Sequence, residues 1–495
     1  MKVENEITNN KFIKMKKLQS LAISFIISAT AFSQTQETQA TPSIADKMHE
    51  RFAKEGLKMY LSNDSSTWLK ATVVMQVQAR YDWNNPGSTV ANYAQSQTAD
   101  AGLRRLRFQL MGYVTKHVFV YTQFGMNNFN YLAPRKQDAF FHDAVAEYKV
   151  WENKKYLSFG AGLTTMGGPL RYSAPAVGSI MMADAPIYQQ TTADQNDQFG
   201  RKLGVYIKGQ VGKFDYRVGV AKPFPVQTMV PALGTPGAAT FDTAYATNAK
   251  FAPTPPNLQY QGYFKWHFLD VESNDVAYNT GTYLGKKRML TLGAGFQYQQ
   301  NAMRYYDAAT VPAAPTAAQI AQNLAYQNLA ILGVDLFYDA PVNKEKGSAI
   351  SAYAAYSYAD YGHDYLRYNG VMNMASGNNN TGVYNKNSYG NAFPMMGTGS
   401  TEFVQLGYKF KNDLFKKHGT LQPYVGVQVS QYQALGSFNM TVADVGVNWL
   451  VSGYNKISLN YQSRPVYQED SKTVTYTEIN SARRGMLYLQ YQISF

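Results

Sequence analysis

Arg484-Gly-Met-Leu-Tyr-Leu-Gln-Tyr-Gln-Ile-Ser-Phe495 alternates two kinds of side chain along its whole length. Leu487, Leu489, Tyr491, Ile493 and Phe495 fall on one face, and Met486, Tyr488, Gln490, Gln492 and Ser494 on the other. A strict period of two is the mark of a strand with chemically different sides. Lys456 to Gln462 repeats it, with Ile457, Leu459 and Tyr461 opposed to Ser458, Asn460 and Gln462. From Trp68 onward the pattern recurs and predicts sixteen strands, at 67–83, 102–115, 117–128, 139–150, 155–166, 200–209, 212–221, 257–270, 286–300, 328–340, 347–362, 400–412, 420–434, 438–449, 455–463 and 482–495. Long and short connections alternate, as in a membrane barrel with long extracellular loops and short periplasmic turns. Residues 271–285 are an overlong exception on the short side, and 435–437 a short one on the long side. The expected fold is all-β: a transmembrane antiparallel barrel of about sixteen strands around a water-filled lumen.

Whole-chain composition agrees. Among 495 residues, 14% are aromatic, including 39 tyrosines, yet mean hydropathy is −0.35. A helical span needs about 20 consecutive apolar residues, and none occurs past the N-terminus. The lack of cysteine excludes disulfides, thiolate metal sites and a lipid-modified cysteine anchor. Lys14, Lys16 and Lys17, the apolar run Leu21 to Phe32 and Ala31-Phe32-Ser33 read as a signal peptide over 1–33, with Met15 as its start and cleavage before Gln34. Residues 34–66 then form a short periplasmic segment and 67–495 the barrel, in the outer membrane. Net charge is +13, and +10 without residues 1–33, which hold five lysines and two glutamates. An exported basic protein points to small anions, other hydrophilic solutes and lipopolysaccharide phosphates as partners, not to nucleic acid.

Parity along each strand assigns a lumen face. Its cations are Arg80, Arg105, Arg107, Lys149, Lys202, Lys208, Arg217, Lys265, Lys287, Lys409 and Arg484, against Asp82, Asp143, Glu147, Asp215, Asp335 and Asp444. Arg80, Arg105, Arg107 and Arg484 fall on neighbouring strands and should form one wall near the extracellular mouth, a forked-donor surface suited to oxyanions. Arg104 and Arg483 have the opposite parity and belong at the outer rim, beside lipopolysaccharide phosphates. Tyr113, Tyr121, Tyr148, Tyr356, Tyr408 and Tyr491 fit interfacial girdles, and Phe495 fits the aromatic terminus of a barrel-insertion signal. The six histidines have no metal-ligand spacing, and no nucleophile-elbow or phosphate-loop motif occurs. Neither an enzyme nor a cofactor or metal site is expected.

The N-terminal third also resembles the phosphate-selective porin O/P family, in the style of a Bacteroidetes member. The resemblance rests on Gly56-Leu-Lys-Met-Tyr-Leu-Ser-Asn-Asp64, Met75-Gln-Val-Gln-Ala-Arg80-Tyr-Asp82, Arg104-Arg105-Leu-Arg107-Phe-Gln-Leu-Met-Gly112, Asp143-Ala-Val-Ala-Glu-Tyr148, Leu157-Ser-Phe-Gly160 and Met166-Gly-Gly168. It implies a homotrimeric porin with a third loop folded into the channel and arginines and lysines along the lumen. That constriction loop would be 167–199, whose only cation is Arg171, beside Asp184, Asp194 and Asp197. A phosphate-specific loop should carry more lysine. Anion preference and general diffusion without specificity therefore both stay open, as does a receptor or adhesin displaying loops 222–256 and 363–399.

Overall fold

The computed structural model describes residues 56–495 except 227–247, 253–255, 307–323, 380–387, 437, 470–475 and 479–482. The expected signal peptide, most of the segment after it and much of loop 222–256 lie outside the described residues.

Sixteen long strands form the wall: β1 Trp68–Trp83, β2 Gln97–Tyr113, β3 Val118–Phe129, β4 Phe140–Trp151, β5 Lys154–Thr164, β6 Lys202–Val211, β7 Phe214–Lys222 and β8 Gln259–His267, followed by β9 Met289–Tyr306, β10 Leu324–Asn343, β11 Ser348–Asp360, β12 Gly399–Lys409, β13 Thr420–Tyr432, β14 Met440–Ser452, β15 Asn455–Arg464 and β16 Arg484–Ser494. Each pairs antiparallel with the next, and β16 returns to β1 in register from Val74↔Ser494 to Asp82↔Met486. Closure leaves no edge, so backbone groups in contact with lipid are all satisfied within the wall. Two short strands join the sheet: Leu57–Tyr60 on the start of β1, and Lys250–Phe251 on β9.

The alternation read from the sequence becomes outside and inside. Leu332, Val205, Val404, Val445 and Leu489 project outward, exposed. Trp151, Tyr156, Trp266, Tyr408, Trp449 and Tyr491 ring the end with the short turns, and Phe141, Tyr260, Tyr298, Tyr326, Tyr358 and Tyr461 the opposite end. Two aromatic girdles around an apolar band mark the outer-membrane type of barrel, and the protein is an outer-membrane β-barrel. Tyr148, Tyr356, Tyr408 and Tyr491 hold the outward positions expected of them, whereas Tyr121 is buried inside and the Tyr113 hydroxyl donates inward to Asp275.

Inside, amides bond across the closing seam: Gln76 Nε2 to Gln492 Oε1 at 2.8 Å and Gln78 Nε2 to Gln490 Oε1 at 2.7 Å. Phe495 completes the seam with a mutual backbone pair to Val73 while its ring stays exposed. A charged carboxylate in place of that exposed ring, as in Phe495→Asp, should lower the fraction of chain that folds, read as heat-modifiable gel mobility. An unchanged folded yield would remove this residue from assembly.

The lumen is not the open bore expected from strand number. Residues 165–201 fold in from the extracellular side, and Leu170, Tyr172, Met181 and Met182 pack against Phe337, Tyr353, Phe403 and Tyr424 of the wall. Phe393, Met395 and Met396 of loop 361–398 join the same cluster. From the periplasmic side the exceptional connection 268–288 also folds in, and its backbone meets the first loop where Ala176 N–H donates to Asn279 O and Asn279 N–H to Ala174 O. The inward-pointing apolar side chains of β9 to β14 are the physical reason. They gain more from covering loops than from water.

Candidate functional site

The charged half of the lumen is built on β1 to β8. In β2, Gln76 pairs with Arg105 and Val77 with Leu103, so Arg104 is an inserted residue without a partner across β1. Across β3 it faces Asn128, which lies between the pairs Leu103↔Phe129 and Arg105↔Asn127 at a φ of 55°. This bulge re-aims the side chain, and consecutive Arg104 and Arg105 both point inward. The expectation that Arg104 sits at the outer rim is thereby corrected: it is 6% exposed and shares Asp184 with Arg105, at 3.0 Å and 2.8 Å.

Three more guanidinium groups surround this pair. Arg80 donates to the Val371 carbonyl and lies 5.4 Å over the Tyr488 ring. Arg107 donates to Asn127 Oδ1 and, at 2.8 Å, to the Met126 carbonyl. Arg201 donates to Tyr278 Oη at 2.9 Å and stands 3.7 Å from Asp143. Arg201, Arg105 and Arg104 all repel the Arg107 guanidinium. Gly125, opposite Arg107, makes the crowding possible, because a Cβ there would sit 1.8 Å from the Leu106 carbonyl. Five guanidinium groups thus face Asp184 and Asp143, and the cluster's Arg80 and Asp184 border an internal cavity of about 60 Å³. That is room for a few waters.

Burial alone would raise the Asp184 carboxyl, but Arg104 and Arg105 overcome it and hold it at about 2. An unfolded aspartate titrates near 4. The ionised carboxylate consequently adds stability above about pH 4, on the order of 2 kcal/mol, which is lost as pH falls toward 2. Protease protection of loop 165–201 should drop across that window in wild type but not in Asp184→Asn. Equal pH profiles would contradict the link.

The remaining expected anion-binding residues are placed differently. Lys202 donates to Thr192 Oγ1 at 2.7 Å beside Asp197, Lys208 pairs with Glu147, and Lys265 lies 3.2 Å from Glu272 and 3.6 Å from Asp215. Each lysine is thus neutralised. Arg484 stands apart from the cluster, four residues nearer the extracellular end than Tyr488, the pairing partner of Arg80. Its Nε donates to the Asn84 carbonyl beside a rim cavity of about 570 Å³. Arg483 lies on the outside, where its Nη2 donates to Thr441 O.

Arg171, the single cation of the constriction loop, joins the two infolded connections. Its Nη1 and Nη2 bond both Glu272 oxygens at 3.0 and 2.7 Å, its Nε and Nη2 reach the Thr280 carbonyl, and Phe337 lies 3.8 Å beneath. The side chains are 0% and 3% exposed. Burial opposes both charges, yet the pair overcomes it, so Glu272 stays well below the usual carboxylate range and Arg171 above its ordinary value.

Arg201, Arg464 and Lys456 were not on the expected lumen list. Arg464 is fully buried on carbonyls of Trp83, Gly390 and Gly485, and Lys456 donates to Ile180 O at 2.7 Å. Parity would have found Lys456, which shares a face with Ser458. Arg464 has the same parity but falls just past the expected strand 455–463, and Arg201 precedes its strand, where parity gives no guide. Among the described residues no group of three or more His, Asp or Glu could hold a metal.

Neither a family model nor a curated protein sequence matches the chain. Among solved structures it is similar to OprB of Pseudomonas putida, at 10% identity over 94% of this chain and 100% of that one, with a TM-score of 0.47. It is also similar to the outer-membrane channel DcaP of Acinetobacter baumannii, at 12% identity over 88% and 99% with a TM-score of 0.41, and to an anion-selective porin from Comamonas acidovorans, at 9% over 87% and 100% with a TM-score of 0.41.

Proposed function

We propose that the protein is a narrow, loop-restricted porin for passive diffusion of small hydrophilic solutes, with a preference for anions such as phosphate. The observation that carries this is the cluster of Arg80, Arg104, Arg105, Arg107 and Arg201 against two carboxylates, at a cavity between the infolded loops. Guanidinium groups stay charged at any physiological pH. In a confined, poorly screened passage their excess attracts anions and repels cations.

General diffusion without anion specificity is the second reading, and the lysines favour it. Lys202, Lys208 and Lys265 each face a carboxylate, an arrangement that gives a transverse field more than a net charge. The family-level refinement to a phosphate-selective trimer belongs to this proposal too, resting on the short N-terminal motifs. A receptor using loop 361–398 as its display is less consistent with Phe393, Met395 and Met396 lying buried inside the barrel.

Planar-bilayer recording of the purified protein tests the proposal. Discrete current steps are expected. A barrel that inserts but never conducts would favour the receptor reading, and steps without ion preference would favour general diffusion.

A further inference from the structure

The tip of the connection between β12 and β13, 410–419, behaves unlike the turn that folds into the lumen: it lies against the outside of the wall, while nearer its start Asn412 Oδ1 accepts a hydrogen bond from the lumen-facing Lys409 at 2.6 Å. Trp449 is on the outward face of β14, paired with Leu421 of β13, and its indole N–H donates to the His418 carbonyl at 2.6 Å. That bond holds the tip Phe415-Lys416-Lys417-His418 beside the aromatic girdle at the periplasmic end. Asp413 and Lys416 have φ of 53° and 56°, a left-handed conformation unfavourable for residues with a Cβ. The turn is thus a specified shape. Phe410, Phe415 and Val451 are exposed around it, as are Lys416 and Lys417.

The neighbouring turn extends the patch. Asn412 N–H donates to the Lys346 carbonyl at 2.7 Å, so Lys346 joins Lys411, Lys416 and Lys417 against Glu345, while Lys344 and Asp413 line the barrel mouth beside Lys286 and Lys287. No described carboxylate lies within ion-pair distance of Lys416 or Lys417. Aromatic rings at the depth where acyl chains give way to headgroups, with lysines at that level, form a surface of definite chemistry.

We propose that this patch binds anionic glycerophospholipid headgroups of the periplasmic leaflet, the lysines reaching the phosphates while Trp449 and Phe415 occupy the acyl boundary. Charge complementarity and the outward set of the turn select a lipid over a soluble ligand. The site rests on the barrel standing in the membrane and is independent of what the lumen conducts.

Native mass spectrometry of the full folded chain with phosphatidylglycerol or phosphatidylethanolamine tests it. Wild type should retain phosphatidylglycerol preferentially, and Lys416→Gln with Lys417→Gln should weaken that retention by at least about tenfold. Trp449→Phe keeps an aromatic ring and every charge but loses the bond to His418, and should weaken retention by a smaller factor. Heat-modifiable mobility identifies folded protein for each variant. Equal retention of both lipids by wild type, or undiminished phosphatidylglycerol binding by the double variant, would overturn the proposal. So would displacement of the lipid by polyglutamate at lower concentration, which would mark an acidic protein partner instead.

Discussion

Replacing Glu272 with Gln is expected to loosen both infolded connections by about 3–5 kcal/mol, the usual cost of stranding one member of a buried ion pair. The Arg171 guanidinium would remain fully buried against Phe337 with only the Thr280 carbonyl and one amide oxygen to accept its protons. Lys265, which shares Glu272, would keep Asp215 alone as its carboxylate. The wall is untouched, since Glu272 belongs to no strand. The expected result is a folded barrel whose loops 165–201 and 268–288 become protease-sensitive and whose single-channel current becomes larger and noisier. Unchanged protection and quiet conductance would mean that Arg171–Glu272 does not hold the loops together.

Shortening the periplasmic connection should act with the opposite economy of charge. If residues 269–286 are replaced by a two-residue turn, Arg171, Lys208 and Lys265 lose partners all at once. The volume vacated is continuous with the periplasm, so water enters and solvates them. The penalty for burying a charge then falls away. Conductance should rise severalfold while heat-modifiable mobility stays near that of wild type. An unaltered conductance would show that 268–288 does not restrict the passage, and loss of the folded form would show that the connection is needed to build the wall. The contrast between the two variants is the physical point: one removes a partner and keeps water out, the other lets water in.

The barrel was legible because period two is imposed by backbone geometry. All sixteen expected strands are present, and Arg484 to Phe495 faces as read. The contents of the barrel were less so. Gln76, Gln78, Gln490 and Gln492 look alike in sequence whether they face water or one another. A signal did exist in Phe337, Tyr353, Phe403 and Met440, apolar residues of inward parity that an open aqueous channel would not favour. Connection 268–288 stood out by length, but length alone does not say that a loop turns inward. Arg104 shows the limit of parity most clearly: one inserted residue in β2 reverses its side, and only the pairing of its neighbours reveals the insertion. His142 repeats this in β4, where Gln123 pairs with Asp143 and Phe124 with Phe141, leaving the imidazole fully buried between.

Reversal potential across a salt gradient reads the anion preference of the arginine cluster, in wild type and in Arg80→Gln with Arg107→Gln. Those two arginines donate chiefly to carbonyl, amide and thioether acceptors, so glutamine removes charge without breaking the ion pairs of Asp184 or Asp143. Wild type should give an anion-selective potential that moves toward zero in the variant at similar conductance. The difference should shrink near 1 M salt, where the Debye length is about 3 Å against about 10 Å at 0.1 M. A cation-selective wild type, or a potential identical in the two proteins at low salt, would contradict that preference.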